Sequence, residues 1–292
     1  MALEIINRKI VGTIDNLEEK LSGKLPVTRE ELLVLVNSWG RLESFNTKAS
    51  NDQTLRIGKC DSKECYYLSK LDVSQITDMS NLFESSLFNG DISNWNTSNV
   101  TNMCQMFDRA ERFNQELNFD TSKVTSMEWM FYNARKFNQP LNFDTLKVTS
   151  MKEMFCFAEK FNQPLNFNTS NVKNMEWMFY KTNIFNQELN FDTSNITNMR
   201  CMFYGAKEFN QPLNWDTSKV INMEYIFNNA EAFENKYNNG KPLPEDTDEI
   251  KEWFINNRER MKDLDIKDTH GKEIDDFFSK ISNIESNNKQ LI

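Results

Sequence analysis

The chain has 292 residues, with 34 lysines and arginines against 43 aspartates and glutamates, for a formal net charge of −9. That balance argues against a nucleic-acid partner or an anionic membrane surface, both of which are held by basic stripes. No stretch approaches the ~20 apolar residues of a membrane-spanning helix, so no membrane insertion is expected. The opening residues, MALEIINRKIVG, place Glu4, Arg8 and Lys9 where a secretory signal would carry its apolar run. The sequence therefore predicts a protein of a reducing, cytoplasmic compartment.

Residues 1–71 read as an N-terminal capping region. Thr28 and Glu31 form a capping box that opens an amphipathic helix over about 28–43, with Leu32, Leu33, Leu35, Val36, Trp39 and Leu42 as its apolar positions. Leu55, Ile57, Tyr66, Tyr67 and Leu68 suggest a hairpin over about 54–70. Cys60 and Cys65 lack the second Cys or His pair of a zinc site, and are read as thiols with a local disulfide as the alternative.

Residues 72–239 are dominated by a repeat. Met79, Met103, Met127, Met151, Met175, Met199 and Met223 follow one another at intervals of 24 residues. A period in this range signals stacked units, none of which buries its apolar face alone. Before each methionine stands a residue of helix N-cap type: Asp78, Asn102, Ser126, Ser150, Asn174, Asn198 and Asn222. Behind it, apolar residues such as Met127, Met130, Phe131, Ala134 and Phe137 recur at helical spacing, which predicts a short helix of about three turns. Pro140, Pro164 and Pro212 end that pattern. Triplets such as Leu141, Asn142, Phe143 then alternate like a very short strand. The fold class expected is an α/β solenoid, a leucine-rich-repeat-like stack of seven units. Two asparagine series, Asn114, Asn138, Asn162, Asn186, Asn210 and Asn118, Asn142, Asn166, Asn190, Asn214, are read as ladders that stitch turns of adjacent units.

Residues 240–292 form an acidic C-terminal region with helical segments near 247–263 and 272–287. Ile250, Trp253, Phe254 and Met261, then Phe277, Phe278, Ile281 and Ile284, give them apolar stripes that would cap the last unit or dock a partner. The acidic cluster over 263–276 misses the calcium-loop spacing, and His270, the one histidine, stands in a polar turn remote from any nucleophile. No phosphate-binding glycine loop occurs. No catalytic residue, metal or cofactor is assigned. The sequons at Asn96, Asn99, Asn168 and Asn195 follow from the repeat's own composition.

Functional variety lies in two positions of the repeat. Trp129 and Tyr132, Trp177 and Tyr180, Tyr204, and Tyr225 recur around the Met-Phe pair, with Glu153 interrupting them. At helical spacing each pair shares a face. Stacking would line the pairs up as an aromatic stripe, either packed between units or exposed as a partner-binding surface.

The strings TSNVTNMCQMF over 97–107, FNGDISNWNTSNVTNM over 88–103 and FNQPLNWDTSKV over 209–220 resemble the BspA-like leucine-rich-repeat relatives. They are most similar to the branch of repeats of unknown function in Mycoplasma lipoproteins. The resemblance spans about residues 71–233 and implies a solenoid that serves recognition or adhesion, without catalytic residues. Surface members carry a signal or lipobox, which the opening residues do not lead one to expect here, and only the first unit keeps the family's FNGDISNW string. The leading expectation is a non-enzymatic protein–protein interaction scaffold. The alternatives are a structural subunit of a larger homo- or hetero-assembly, such as a virus particle or cell-envelope layer, and a surface adhesin. An enzyme hidden in residues 1–70 or 240–292 is the remaining reading.

Overall fold

The computed structural model describes residues 4–6, 9–11, 16–38 and 68–264. β1 (Glu4–Ile6) and β2 (Lys9–Val11) pair antiparallel, with Glu4 opposite Val11. Helices α1 (Leu17–Leu21) and α2 (Arg29–Ser38) follow. α2 opens at the capping box: Glu31 N–H donates to Thr28 Oγ1 at 3.2 Å and Thr28 N–H to Glu31 Oε2 at 2.9 Å. Residues 39–43 of the expected helix, Cys60, Cys65, His270 and the segment 272–287 lie outside the described residues, as does the expected hairpin except at its end. There, 68–69 are helical, not extended.

Over the repeats, the backbone bonds between units recur at a fixed offset. Parallel bridges join Asp78 to Asn102, Asn102 to Ser126, and onward in equal steps to Asn222. The expected short helix, however, does not form. In the third unit Met130 N–H donates to Met127 O at 3.3 Å, Tyr132 N–H to Trp129 O at 3.0 Å and Ala134 N–H to Phe131 O at 3.1 Å. The alternate donors leave the unit: Trp129 N–H reaches Lys152 O at 2.9 Å, Phe131 N–H reaches Met154 O at 2.9 Å and Asn133 N–H reaches Cys156 O at 2.7 Å. A helix would send all of these donors to carbonyls four residues back. Here the segment is a string of tight turns, and every second N–H ties it to the next coil.

Two residues per coil take left-handed backbone to make those turns. They stand two and six places after the repeat methionine, as in Trp129 (φ 54°) and Asn133 (φ 51°), or Phe157 (φ 58°) and Gly205 (φ 67°). A side chain there costs roughly 1–2 kcal/mol, offset by the ladder on either side. Six of the seven residues expected to cap helices, all but Ser126, instead close these turns. Asn102 Oδ1 accepts the Cys104 N–H at 3.0 Å, and Asp78, Asn174, Asn198 and Asn222 do likewise two residues on; Ser150 Oγ does so at 3.4 Å. The Leu-Asn-Phe triplets are not strands either, since only Leu117 and Leu141 make a bridge.

Inside the coils run two phenylalanine columns. Phe83, Phe107, Phe131, Phe155, Phe179, Phe203 and Phe227 stack with centroids 5.1–5.8 Å apart. A second column, from Phe113 through Phe137, Phe161 and Phe185 to Phe209 and Phe233, has spacings of 6.0–6.1 Å. Within a coil the two rings are about 4.1 Å apart, as in Phe131 and Phe137. Repeat methionines fill the space beside them and are buried. Buried threonines stitch the far side: Thr121 Oγ1 donates to Asp144 O at 3.0 Å, and Thr97, Thr145, Thr169 and Thr193 repeat the bond.

The first asparagine series makes the expected stitches. Asn138 Oδ1 accepts the Asn162 N–H at 2.9 Å, while Gln163 Nε2 donates to Asn138 Oδ1 at 3.1 Å. The second series, Asn118, Asn142, Asn166, Asn190 and Asn214, is exposed and makes no such bond. Its amides point outward from the alternation that buries Leu117 and Phe119.

Both ends of the stack are covered. At the front, Val27 N–H donates to Asp72 O at 3.0 Å and Arg29 reaches Asp78 O at 3.1 Å and Ser80 O at 3.0 Å. Trp95 Nε1 donates to Leu68 O at 2.7 Å. At the back lie α3 (Glu231–Asn238) and α4 (247–264). The last coil's free donors meet the chain between them: Tyr225 N–H bonds Glu245 O and Met223 N–H bonds Thr247 Oγ1, both at 3.0 Å. Ile250, Phe254 and Met261 of α4 are buried against the last coil, and Lys251 and Arg258 donate to Val220 O and Trp215 O. This helix covers the stack's end with the apolar stripe read from its sequence. Among the described residues, no helix is long and apolar enough to cross a membrane.

Candidate interaction face

The turn string places its variable residues side by side on one face. Trp129, Tyr132, Trp177, Tyr180 and Tyr204 are half-buried there, and Tyr225 is 36 % exposed. Trp177 and Tyr180 stack at 5.1 Å and 20°, and Tyr180 stacks on Tyr204 of the next coil at 5.0 Å and 17°. Their closeness does not come from a helix face. Tyr180 N–H donates to Trp177 O at 3.2 Å across one tight turn, which brings residues three apart together as a helix would.

Three further side chains complete the face. Phe157 stands edge-on to Tyr132 at 5.9 Å and to Tyr180 at 5.3 Å, joining the two halves of the stripe. Lys181 Nζ lies 5.4 Å from the Tyr180 ring centre and 5.6 Å from that of Phe157, and the Arg200 guanidinium is 5.9 Å from Trp177. Such cation–ring contacts contribute about 0.5–1 kcal/mol at exposed sites. Helical spacing hides Phe157, because six places after the methionine is off the presumed face. Only the left-handed turn brings it beside Tyr180. Trp129 and Tyr225 stand apart from this ring cluster. The indole Nε1 of Trp129 has no partner within hydrogen-bonding distance, although it lies near enough to Glu153 to favour the ionised carboxylate. Burial outweighs that influence and pushes the Glu153 carboxyl above its ordinary range.

Alternating charges border the aromatic columns. One residue after each methionine from Met127 to Met223 come Glu128, Lys152, Glu176, Arg200 and Glu224. Lys152 pairs with Glu176 at 2.9 Å, and Arg200 with Glu176 at 3.8 Å and Glu224 at 3.5 Å. The Glu176 bond holds the Lys152 ammonium above its usual pKa. On the other border Arg135 lies between Glu111 at 3.9 Å and Glu159 at 3.7 Å. Exposed pairs of this kind contribute ~0–1 kcal/mol each, so their regular use is a matter of register and surface chemistry more than stability.

Toward the front of the face, Asp108 occupies the column that Tyr132 and Tyr180 fill elsewhere. It is 3 % exposed, Arg109 pairs with its Oδ2 at 2.9 Å, and its Oδ1 has no partner. Burial raises its pKa to about 6 despite the guanidinium. Cys156 and Cys201 lie in the same columns, and burial pushes both thiols up, away from the thiolate that a nucleophile requires.

A family model described as "Mycoplasma protein of unknown function, DUF285" matches residues 45–164 and 140–240. None of the curated proteins and none of the solved structures compared with the chain matches it.

Proposed function

Since the chain belongs to the Mycoplasma protein family of unknown function, DUF285, which brings no chemistry with it, we propose from the geometry that it is a non-enzymatic solenoid scaffold binding a protein partner through its aromatic stripe. The observation that carries this reading is the half-buried cluster of Trp177, Tyr180, Tyr204 and Phe157, flanked by Lys181 and Arg200. Tryptophan, tyrosine and arginine dominate interface hot spots, and a polar rim around them excludes water. Trp129, Trp177, Tyr225 and Phe157 of this face also sit on left-handed backbone, a costly conformation for bulky residues that is concentrated at functional surfaces. The raised thiols of Cys156 and Cys201 favour a non-catalytic role.

Within this proposal the repeats are relatives of the BspA-like leucine-rich repeats, with the unit's helix replaced by turns. Among the described residues Cys104, Cys156 and Cys201 are free, which fits a reducing, cytoplasmic setting. The test is a native pull-down with crosslinking mass spectrometry, comparing the wild type with Trp129→Ala/Trp177→Ala. Lys181 should crosslink to the partner in the wild type, and partner recovery should fall at least ~10-fold in a variant that keeps its cooperative melting transition. Undiminished capture by the variant would remove the stripe from consideration. Sedimentation of the chain with an abundant particle would favour the assembly subunit.

A further inference from the structure

Nine places after the repeat methionine, three successive coils carry Arg112, Lys136 and Lys160. All three are exposed, and none makes an ion pair or hydrogen bond among the described residues. That sets them apart from the neighbouring charge columns, where signs alternate and each coil pairs with the next. The exposed aspartates at 120, 144, 192 and 216 also repeat one sign, but each carboxylate closes a turn by accepting the N–H two residues on. The cations have no such internal task. Like charges on adjacent rungs repel, and on a chain of net charge −9 this is a local reversal of sign.

The spacing of the rungs narrows what could satisfy them. Phe113, Phe137 and Phe161, each next in sequence to one of the cations, are 6.0 Å apart. An α-helix rises ~1.5 Å per residue, so carboxylates four residues apart stand ~6.0 Å apart along it. Same-face residues of a strand recur at ~6.6–6.8 Å and fall progressively out of step. The fourth rung is Ile184, 37 % exposed, and the fifth is Glu208. A nucleic-acid strand would bring phosphates to the fourth and fifth rungs as well, where Ile184 and Glu208 stand, whereas a helix can present an apolar side chain there. We propose that Arg112, Lys136, Lys160 and Ile184 dock an acidic helical segment of a partner protein, three carboxylates and then one apolar side chain at four-residue intervals. This surface lies outside the aromatic columns, and its test is read separately from that of the stripe.

The experiment is fluorescence anisotropy with a labelled helical peptide carrying three glutamates and then a leucine at four-residue intervals. A peptide of the same composition in scrambled order and a single-stranded oligonucleotide serve as competing probes. The full-length wild type should bind the ordered peptide at least ~10-fold more tightly than the scrambled one, and less tightly as salt rises. Arg112→Gln/Lys136→Gln/Lys160→Gln should lose that preference while keeping its melting temperature, since the replaced groups are exposed and unpaired. If the triple variant does not fold, Lys136→Gln alone should weaken binding roughly 2–5-fold. Absence of wild-type binding, equal affinity for the scrambled peptide, unchanged affinity in the variants, or tighter binding of the oligonucleotide would each overturn the proposal.

Discussion

One coil presents two kinds of column, and they follow different rules. Looking inward, the same residue returns in every copy: phenylalanine four places after the methionine from Phe83 to Phe203, and again at Phe227. Looking outward two places after it, the residues are Asn81, Gln105, Trp129, Glu153, Trp177, Cys201 and Tyr225, all on the same left-handed backbone. Identity is constrained where rings must stack on their own kind at coil spacing. It is released where the backbone alone sets the conformation, and there the copies differ in chemistry without differing in shape.

The largest expected effect comes from breaking an inward column. Phe131 lies between Phe107 at 5.5 Å and Phe155 at 5.7 Å and is fully buried. Phe131→Ala should cost ~3–5 kcal/mol in denaturant unfolding, through lost transfer energy and the cavity it leaves. Trp177→Ala removes a larger but half-buried side chain and should cost clearly less. Equal losses would make the outward column part of the core and end its case as a binding face.

Asp108 tests whether an outward position can still be governed by burial. Its pKa of about 6 in the folded chain exceeds the ordinary carboxyl value of 3.8. Protonation therefore stabilises the fold: the contribution is complete below about pH 4 and is lost as pH rises through about 6. Asp108→Asn should flatten that dependence and raise stability at pH 8 by at most about 3 kcal/mol, less whatever the Arg109 pairing supplies. Thermal melts across pH 4–8 should show the wild type and variant curves converging toward acid. Parallel curves would contradict the raised pKa.

Which parts of this could be read from the sequence follows the same inward–outward division. The period, the capping box at Thr28 and Glu31, the Asn138 series of stitches and the apolar stripe of α4 each have a local signature that the structure carries through. The turn string does not. Met127, Met130, Phe131 and Ala134 recur at helical spacing because residues three apart meet across a tight turn as they do on a helix. The left-handed corners are filled by Trp129 and Phe157, residues that give no hint of positive φ. Trp177, Tyr180 and Tyr204 of the aromatic cluster, and Tyr132 beside it, were accordingly legible. Phe157, Lys181 and Arg200 were not, because their placement depends on that backbone.

The two asparagine series give a smaller effect with a clean control. Asn138→Ala removes the acceptor of the Asn162 N–H and of Gln163 Nε2, and should cost ~1–3 kcal/mol for the donors left behind. Asn142→Ala, four residues on and exposed, should lie within ~0.5 kcal/mol of wild type. A comparable loss at both positions would mean that the outer series also holds the coils together.

The smallest of the predicted losses should come from a charge reversal in the border column. Lys152 stands between Glu128 and Glu176 in sequence register and pairs with Glu176 at 2.9 Å. Lys152→Glu would set three carboxylates in consecutive coils and remove the attraction that each coil exerts on both neighbours. Because these groups are partly solvated, the expected loss is ~1 kcal/mol at low ionic strength, fading as salt is added. Denaturant unfolding at two salt concentrations separates the cases. A salt-sensitive loss assigns the column to coil-to-coil electrostatics, whereas a salt-insensitive one assigns Lys152 to packing by its methylene stem.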